Sequence, residues 1–244
     1  MARVDGPTFA AYVAPAIDRV FRSGMRAARE QGGRDLVLAY GGSERVGWLI
    51  EFRTSLAWPG RTVTSEQFAA VTRYRDQDAA WASLRRSAEL GALDLVDGGL
   101  RASADGQAFL VELFARQGLA VSQHWADQMA YVRACLQPLA RLLVAAALDQ
   151  GPAFAAMAPV YEPGDAPPGL LLLNRLGTLR YYRADAHADA WMAAGETAAT
   201  IATMPAGPDR DAIEADTNRR AALPFAALDV NDQLRLLADL AALS

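Results

Sequence analysis

Apolar residues recur at the helical period along most of this chain and divide it into elements. Phe9, Val13, Ile17, Val20 and Phe21 share one face of a helix expected over residues 8–30, with Gly32-Gly33 as its stop. Pro15 lies inside that run, so either the first turns kink or the helix starts near residue 14. Residues 36–40 read as a short strand or a helix end, and 46–58 as a buried helix closed by Pro59-Gly60; helix is the preferred reading of this region. Thr64-Ser65-Glu66-Gln67 is a capping-box arrangement that opens a short helix to about residue 72. Asp76 caps the next helix, which turns Ala80, Trp81, Leu84 and Ala88 inward and stops at Gly91. Leu93, Leu95, Leu100 and Ala102 flank Asp97-Gly98-Gly99, a two-strand hairpin with a glycine-rich tip, and Ser103 caps the helix after it.

The second half reads as helices alone. Residues 120–147 form one long helix or two, with Pro138 as the break, and the Pro/Gly/Ala-rich stretch 151–169 reads largely as loop. Residues 170–195 give the clearest helix of this half. After the Pro/Gly linker 204–209, two helices are expected over 210–222 and 229–243. The expected fold class is mainly α: N-terminal helices and a winged helix-turn-helix with one small β-hairpin over residues 1–118, then a C-terminal helical bundle over 119–244.

Composition narrows the chemistry. At 244 residues and 52% hydrophobic, the chain can bury a large core. Its net charge of −4 supplies no overall positive field for nucleic acid or anionic lipid. All 24 basic residues are arginine, which excludes a Schiff-base lysine and a lysine general base. The single cysteine, Cys135, cannot form an internal disulfide. The apolar run 139–148 is interrupted by Arg141 and too short to span a bilayer, and residues 1–9 lack the layout of a secretory leader. The expectation is a soluble, cytoplasmic protein without a membrane partner.

Two places could carry chemistry. Leu172, Leu176 and Leu179 define a stripe that continues through Arg183, His187 and Trp191. A charged pair on a core-facing stripe meets a cavity, a carboxylate or a ligand; otherwise it snorkels at a bundle end or closes a buried ion pair. Asp185 and Asp189 lie roughly opposite, as a solvated edge or as partners for another helix. The second histidine, His124, shares a helix with Gln128, Tyr131 and Cys135 in this reading. If the two helices face each other, His124, Trp125 and His187 line one pocket, with the histidines as an acid/base pair. Two histidines without a third inward ligand do not make a metal site, so no metal or other cofactor is expected. The glycine pairs form no dinucleotide or P-loop fingerprint. Elsewhere, Arg73, Arg75, Arg85 and Arg86 cluster in the turn and third helix, with Arg101 on the wing, where a winged helix contacts DNA. Asp76, Asp78, Glu89, Asp94 and Asp97 dilute that patch.

Residues 64–113, with Leu100-Arg-Ala-Ser103-Ala-Asp-Gly106 running from wing into helix, resemble regulators of the MarR type. That resemblance implies a DNA-binding homodimer. Arg183-x-Asp185-x-His187 and the tail at 213–228 resemble SalK-type actinobacterial proteins, with Asn218 and Phe225 where that family has Asp and Trp. This second resemblance implies a small-molecule-binding protein near secondary metabolism. The first functional expectation is a ligand-responsive winged-helix transcriptional regulator; the alternative is a small-molecule enzyme or binding protein whose winged helix is scaffold.

Overall fold

The computed structural model describes residues 5–243, so the first four residues read for a leader lie outside the described residues. The chain is mainly helical with one small antiparallel sheet. Its elements are α1 (Gly6–Ala28), α2 (Arg34–Ala39), α3 (Ser43–Glu51), α4 (Arg53–Leu56), β1 (Val63–Thr64), α5 (Ser65–Val71) and α6 (Gln77–Glu89). Then come β2 (Leu93–Val96), β3 (Gly99–Ala102), α7 (Ala104–His124), α8 (Met129–Ala146) and α9 (Pro152–Met157). The last four are α10 (Pro168–Ala193), α11 (Ala198–Thr203), α12 (Pro208–Ala221) and α13 (Val230–Ala242).

Local signals set many of these ends. Thr64 and Gln67 close the expected capping box, Asp76 accepts from Ala79 N and Ser103 accepts from Gly106 N. Gly91 stops α6 with φ at +80°, a conformation that side chains with a Cβ rarely adopt. Neither internal proline ends its helix. Pro15 sits inside α1, whose Phe9, Val13, Ile17 and Val20 are buried on both sides of it. Pro138 sits inside α8 between the fully buried Cys135 and Leu139. An interior proline costs about 3 kcal/mol, while each large buried side chain returns about 1.5–3 kcal/mol, so the packed stripe wins. The break in 120–147 falls at 125–128 instead, which puts His124 at the end of α7 and Tyr131 and Cys135 on α8.

The region 34–58 is helical in three short pieces. The stretch read as loop contains α9, whose cap is remote: Asp185 on α10 accepts from the backbone N–H groups of Ala153 and Phe154 at 3.2 and 2.8 Å. A third strand, β1, joins the hairpin in the order β1-β3-β2. A Cβ at Gly99 would stand 2.2 Å from the Val63 carbonyl oxygen, so glycine there admits β1 to the sheet.

One apolar core runs from Phe9 to Leu243, and a satellite cluster holds Ala188, Ala190, Trp191, Ile201 and Ile213. Helix α10 packs on α1, α7, α8, α9 and α12, and α7 passes unbroken through the boundary expected at 118–119. With the turns at both its ends, α8 makes a 24-residue helical stretch, Ala126–Asp149. That stretch is long and apolar enough by length and composition to cross a membrane, which removes the argument from shortness. Pro138 does not interrupt it, and its Val132, Cys135, Leu139 and Leu142 face the protein core.

Candidate functional site

The stripe on α10 leads into a polar cluster that the protein fills with its own side chains. Asp185 is 6% exposed and pairs with Arg73 Nη2 at 2.5 Å while capping α9. Arg73 also donates to the Ala70 and Ala184 carbonyls, so its charge is fully used within the fold. It was expected at a DNA face; the turn between α5 and α6 instead carries it against α10. Asp189 is exposed, as a solvated edge requires.

Next along α10, Trp191 Nε1 donates to Tyr74 Oη at 3.0 Å, and Tyr74 Oη lies 2.8 Å from His187 Nδ1. Tyr74 Oη thus accepts from Trp191 and shares one hydrogen bond with the His187 ring, whose other nitrogen is Nε2. That atom is buried without a hydrogen-bond partner, and Glu214 Oε1 stands 3.7 Å away. Burial pulls the imidazole below its usual value, against the pull of Glu214 and with Arg183, Arg210 and Arg73 acting in the same direction as burial. Arg183 donates to Asn218 Oδ1 at 2.7 Å and Glu214 Oε2 at 3.1 Å on α12, and lines a recess of only about 40 Å³. Of the alternatives read from the sequence, Arg183 thus meets one carboxylate and one amide, and His187 an inner hydrogen-bond chain.

His124 and Trp125 lie elsewhere. His124 Nε2 is 2.8 Å from Ser23 Oγ on α1, and Trp125 is fully buried beneath Gly24. The expected shared pocket of His124, Trp125 and His187 is not formed, because the turn at 125–128 sends His124 to α1 rather than toward Tyr74.

The remaining arginines of the expected DNA face are mostly paired. Arg75 bonds Glu51 at 3.2 Å and covers the Trp48 ring; Arg86 bonds Glu44 and Glu89, and Arg101 bonds Asp94. Arg85 is exposed and has no partner among the described residues.

A different arginine stands out on burial and pairing together. Arg53, the first residue of α4, is 7% exposed, and one guanidinium nitrogen donates to the Ile50 carbonyl at 3.1 Å. Its Nε has no partner, and among the described residues no carboxylate comes within ion-pair distance of it. Burial lowers its basicity; Tyr181 and Glu51 oppose that shift and Arg180 adds to it. The side chain faces a cavity of about 230 Å³ lined also by Phe21, Glu51, Thr54, Arg180 and Tyr181. Glu51 is already engaged by Arg75 and by the Tyr181 hydroxyl, which donates to it at 2.5 Å; burial raises the Tyr181 phenol first, and Glu51 reinforces the shift. Arg180 is held by Asp18 at 2.7 Å. Of the two arginines in this cavity, Arg53 is the one with no ion pair among the described residues. Chemically, the cavity offers a forked donor, an apolar wall and a neutral phenol to an anionic group.

Compared with known proteins, the chain matches no family model, no curated relative and no solved structure. Its function therefore has to be read from these contacts.

Sequence reasoning passed over Arg53 because 46–58 scans as one buried apolar helix. The signal was present: Arg53-Thr54-Ser55 interrupts that run with three polar residues, and all three are buried. A second contrast points the same way. The cavity of about 600 Å³ near α9 is also lined by arginines, yet Arg175 there forms a two-pronged pair with Glu162 at 2.6 and 2.8 Å. In the same cavity Arg61 donates to Ser55 Oγ and to the Ala155 and Ala158 carbonyls.

Proposed function

We propose that this protein binds a small anionic molecule at Arg53, within a helical body onto which a winged helix is fastened as scaffold. The carrying observation is the buried, unpaired guanidinium facing a cavity. A lone buried charge costs several kcal/mol unless something compensates it, and a carboxylate or phosphate would do so through two parallel hydrogen bonds. The winged-helix reading is supported by the order α3–α4, β1, α5, α6, β2, β3 and by the sheet order β1-β3-β2. In this reading the helices of the second half form the bundle, and the segment resembling SalK-type proteins does the fastening. Arg183, Asp185 and His187 tie α10 to the α5–α6 turn and to α12.

A second reading, the ligand-responsive DNA-binding regulator, is favoured by one observation: Arg85 projects free from α6, the helix such a fold presents to the major groove. That reading needs a homodimer that sets two such helices one DNA turn apart.

Thermal unfolding with a panel of small carboxylates and inorganic phosphate separates the two. A ligand at about 100 times its Kd stabilises by about 2.7 kcal/mol, which shifts Tm by about 5–10 °C in a chain of this size. We expect such a shift with at least one anion in the wild type and none in Arg53→Met, together with no retention of duplex DNA at low salt. Absence of any anion-dependent shift, with DNA binding that weakens steeply in salt and is lost in Arg85→Ala, would overturn the first reading in favour of the second.

A further inference from the structure

We infer that the ligand is an extended molecule with anionic groups at both ends of an apolar spine, its inner end at Arg53 and its outer end under a rim of arginines; this rests on the reading of Arg53 above. Beside the inner cavity lies a groove of about 790 Å³ between α1, α2 and α7. Its floor is apolar, with Met25, Val37 and Leu113, and its exposed edge carries Leu38 together with Arg22, Arg26, Arg29, Arg34 and Arg116. Arg22 is held by Asp18 at 2.8 Å. The other four have no ion pair among the described residues, although the same segments carry Glu30 and Asp35, which are not part of the lining. In a chain with more acidic than basic residues, four unpaired arginines around one concave apolar surface are a local reversal of charge. The rim selects an anion and the floor selects an apolar body.

Two further observations join this groove to the inner site. Phe21, Met25 and Ile50 line both spaces, so three half-buried apolar side chains are the partition between them. Phe21 is the central one: the Arg53 and Arg180 guanidinium carbons lie 5.9 and 4.4 Å from its ring centroid. A Cβ at Gly177 would come within 2.9 Å of the Phe21 ring, so glycine on α10 makes room for it. A methylene chain or flat ring can lie along these side chains with one end in each space. Gln117 on α7 is the polar exception on the floor: it is 3% exposed and its Oε1 has no partner. It is placed to accept from a hydroxyl or N–H on the spine.

The test compares ligands of one charge and two by titration calorimetry on the full chain, using benzoate, fatty-acid anions and a graded series of aliphatic α,ω-dicarboxylates. We expect a long dicarboxylate to bind on the order of tenfold more tightly than the monocarboxylate of equal length. That advantage is expected to shrink with added salt and to vanish in Arg29→Gln/Arg116→Gln, two exposed positions, where the two series should bind alike. Equal affinity for both series, still dependent on Arg53, would overturn the two-ended ligand and leave the Arg53 site standing. No Arg53-dependent binding of any carboxylate would sink both. Binding to anionic lipid vesicles that is lost in the rim variant, with no soluble dicarboxylate bound, would assign the rim to a membrane surface and overturn the inference.

Discussion

Arg73 and Arg53 both lie against the neighbourhood of α10, and the fold treats them oppositely. Arg73 meets Asp185, two backbone carbonyls and, through Asp185, the start of α9; every strong donor has a receiver. Arg53 has one backbone carbonyl, a cation–π contact with Phe21 and an Nε with nothing to bind. Arg53 is the more buried of the two, yet only Arg73 has a carboxylate partner. A buried charge paired on all sides is structural, because removing either partner strands the other. A buried charge left unpaired beside a cavity is kept at a cost to stability and points to a ligand.

That contrast can be broken most severely at Asp185. Asp185→Ala strands Arg73 and uncaps α9, so we expect a loss of about 3–5 kcal/mol in chemical denaturation. A loss under about 1 kcal/mol would show that the fastening is decorative. Tyr74→Phe removes the hydroxyl that Trp191 and His187 share. The expected cost is about 1–3 kcal/mol, read the same way, and it should be smaller in a His187→Phe background because the two changes are coupled.

The same cluster should give stability a pH dependence. Burial holds His187 neutral in the fold with a value below its ordinary 6.5, so the unfolded chain takes up the proton first. This contribution is fully present above pH 6.5 and is lost as pH falls from there through the folded value. Denaturation midpoints between about pH 7.5 and 5.5 should therefore fall more steeply in the wild type than in His187→Gln. Equal slopes would remove His187 from the linkage.

At the other arginine the expectation reverses sign. Arg53→Met removes a buried charge that has no ion-pair partner among the described residues, so stability should stay within about 1 kcal/mol of the parent or rise above it. A loss as large as that of Asp185→Ala would mean that Arg53 is structural after all. The smallest effect is expected at Arg85→Ala, within about 0.5 kcal/mol, since that side chain is exposed and touches no partner.

How much of this was legible depended on how local the cause was. Caps at Thr64, Asp76 and Ser103, and the stop at Gly91, are written within four residues of where they act, and the structure places each there. Features with a distant cause were misread. Pro138 continues its helix because of what the flanking apolar stripe meets across the core; β1 exists because Gly99 lets two residues approach, and α9 is capped from residue 185. The candidate site divided along the same line. Arg183, His187 and Trp191 were correctly placed on one face of α10, but their partners on α12 and in the α5–α6 turn have no sequence signature. Arg53 was hidden for the converse reason: its neighbours in sequence look like core, and only the absence of a partner in space distinguishes it.

Calorimetric titration of one bound carboxylate into wild-type protein and into Arg53→Met tests this most directly. We expect saturable binding in the first and its loss in an equally folded second. Equal affinity in the two proteins would contradict the assignment of the unpaired arginine as the anion site.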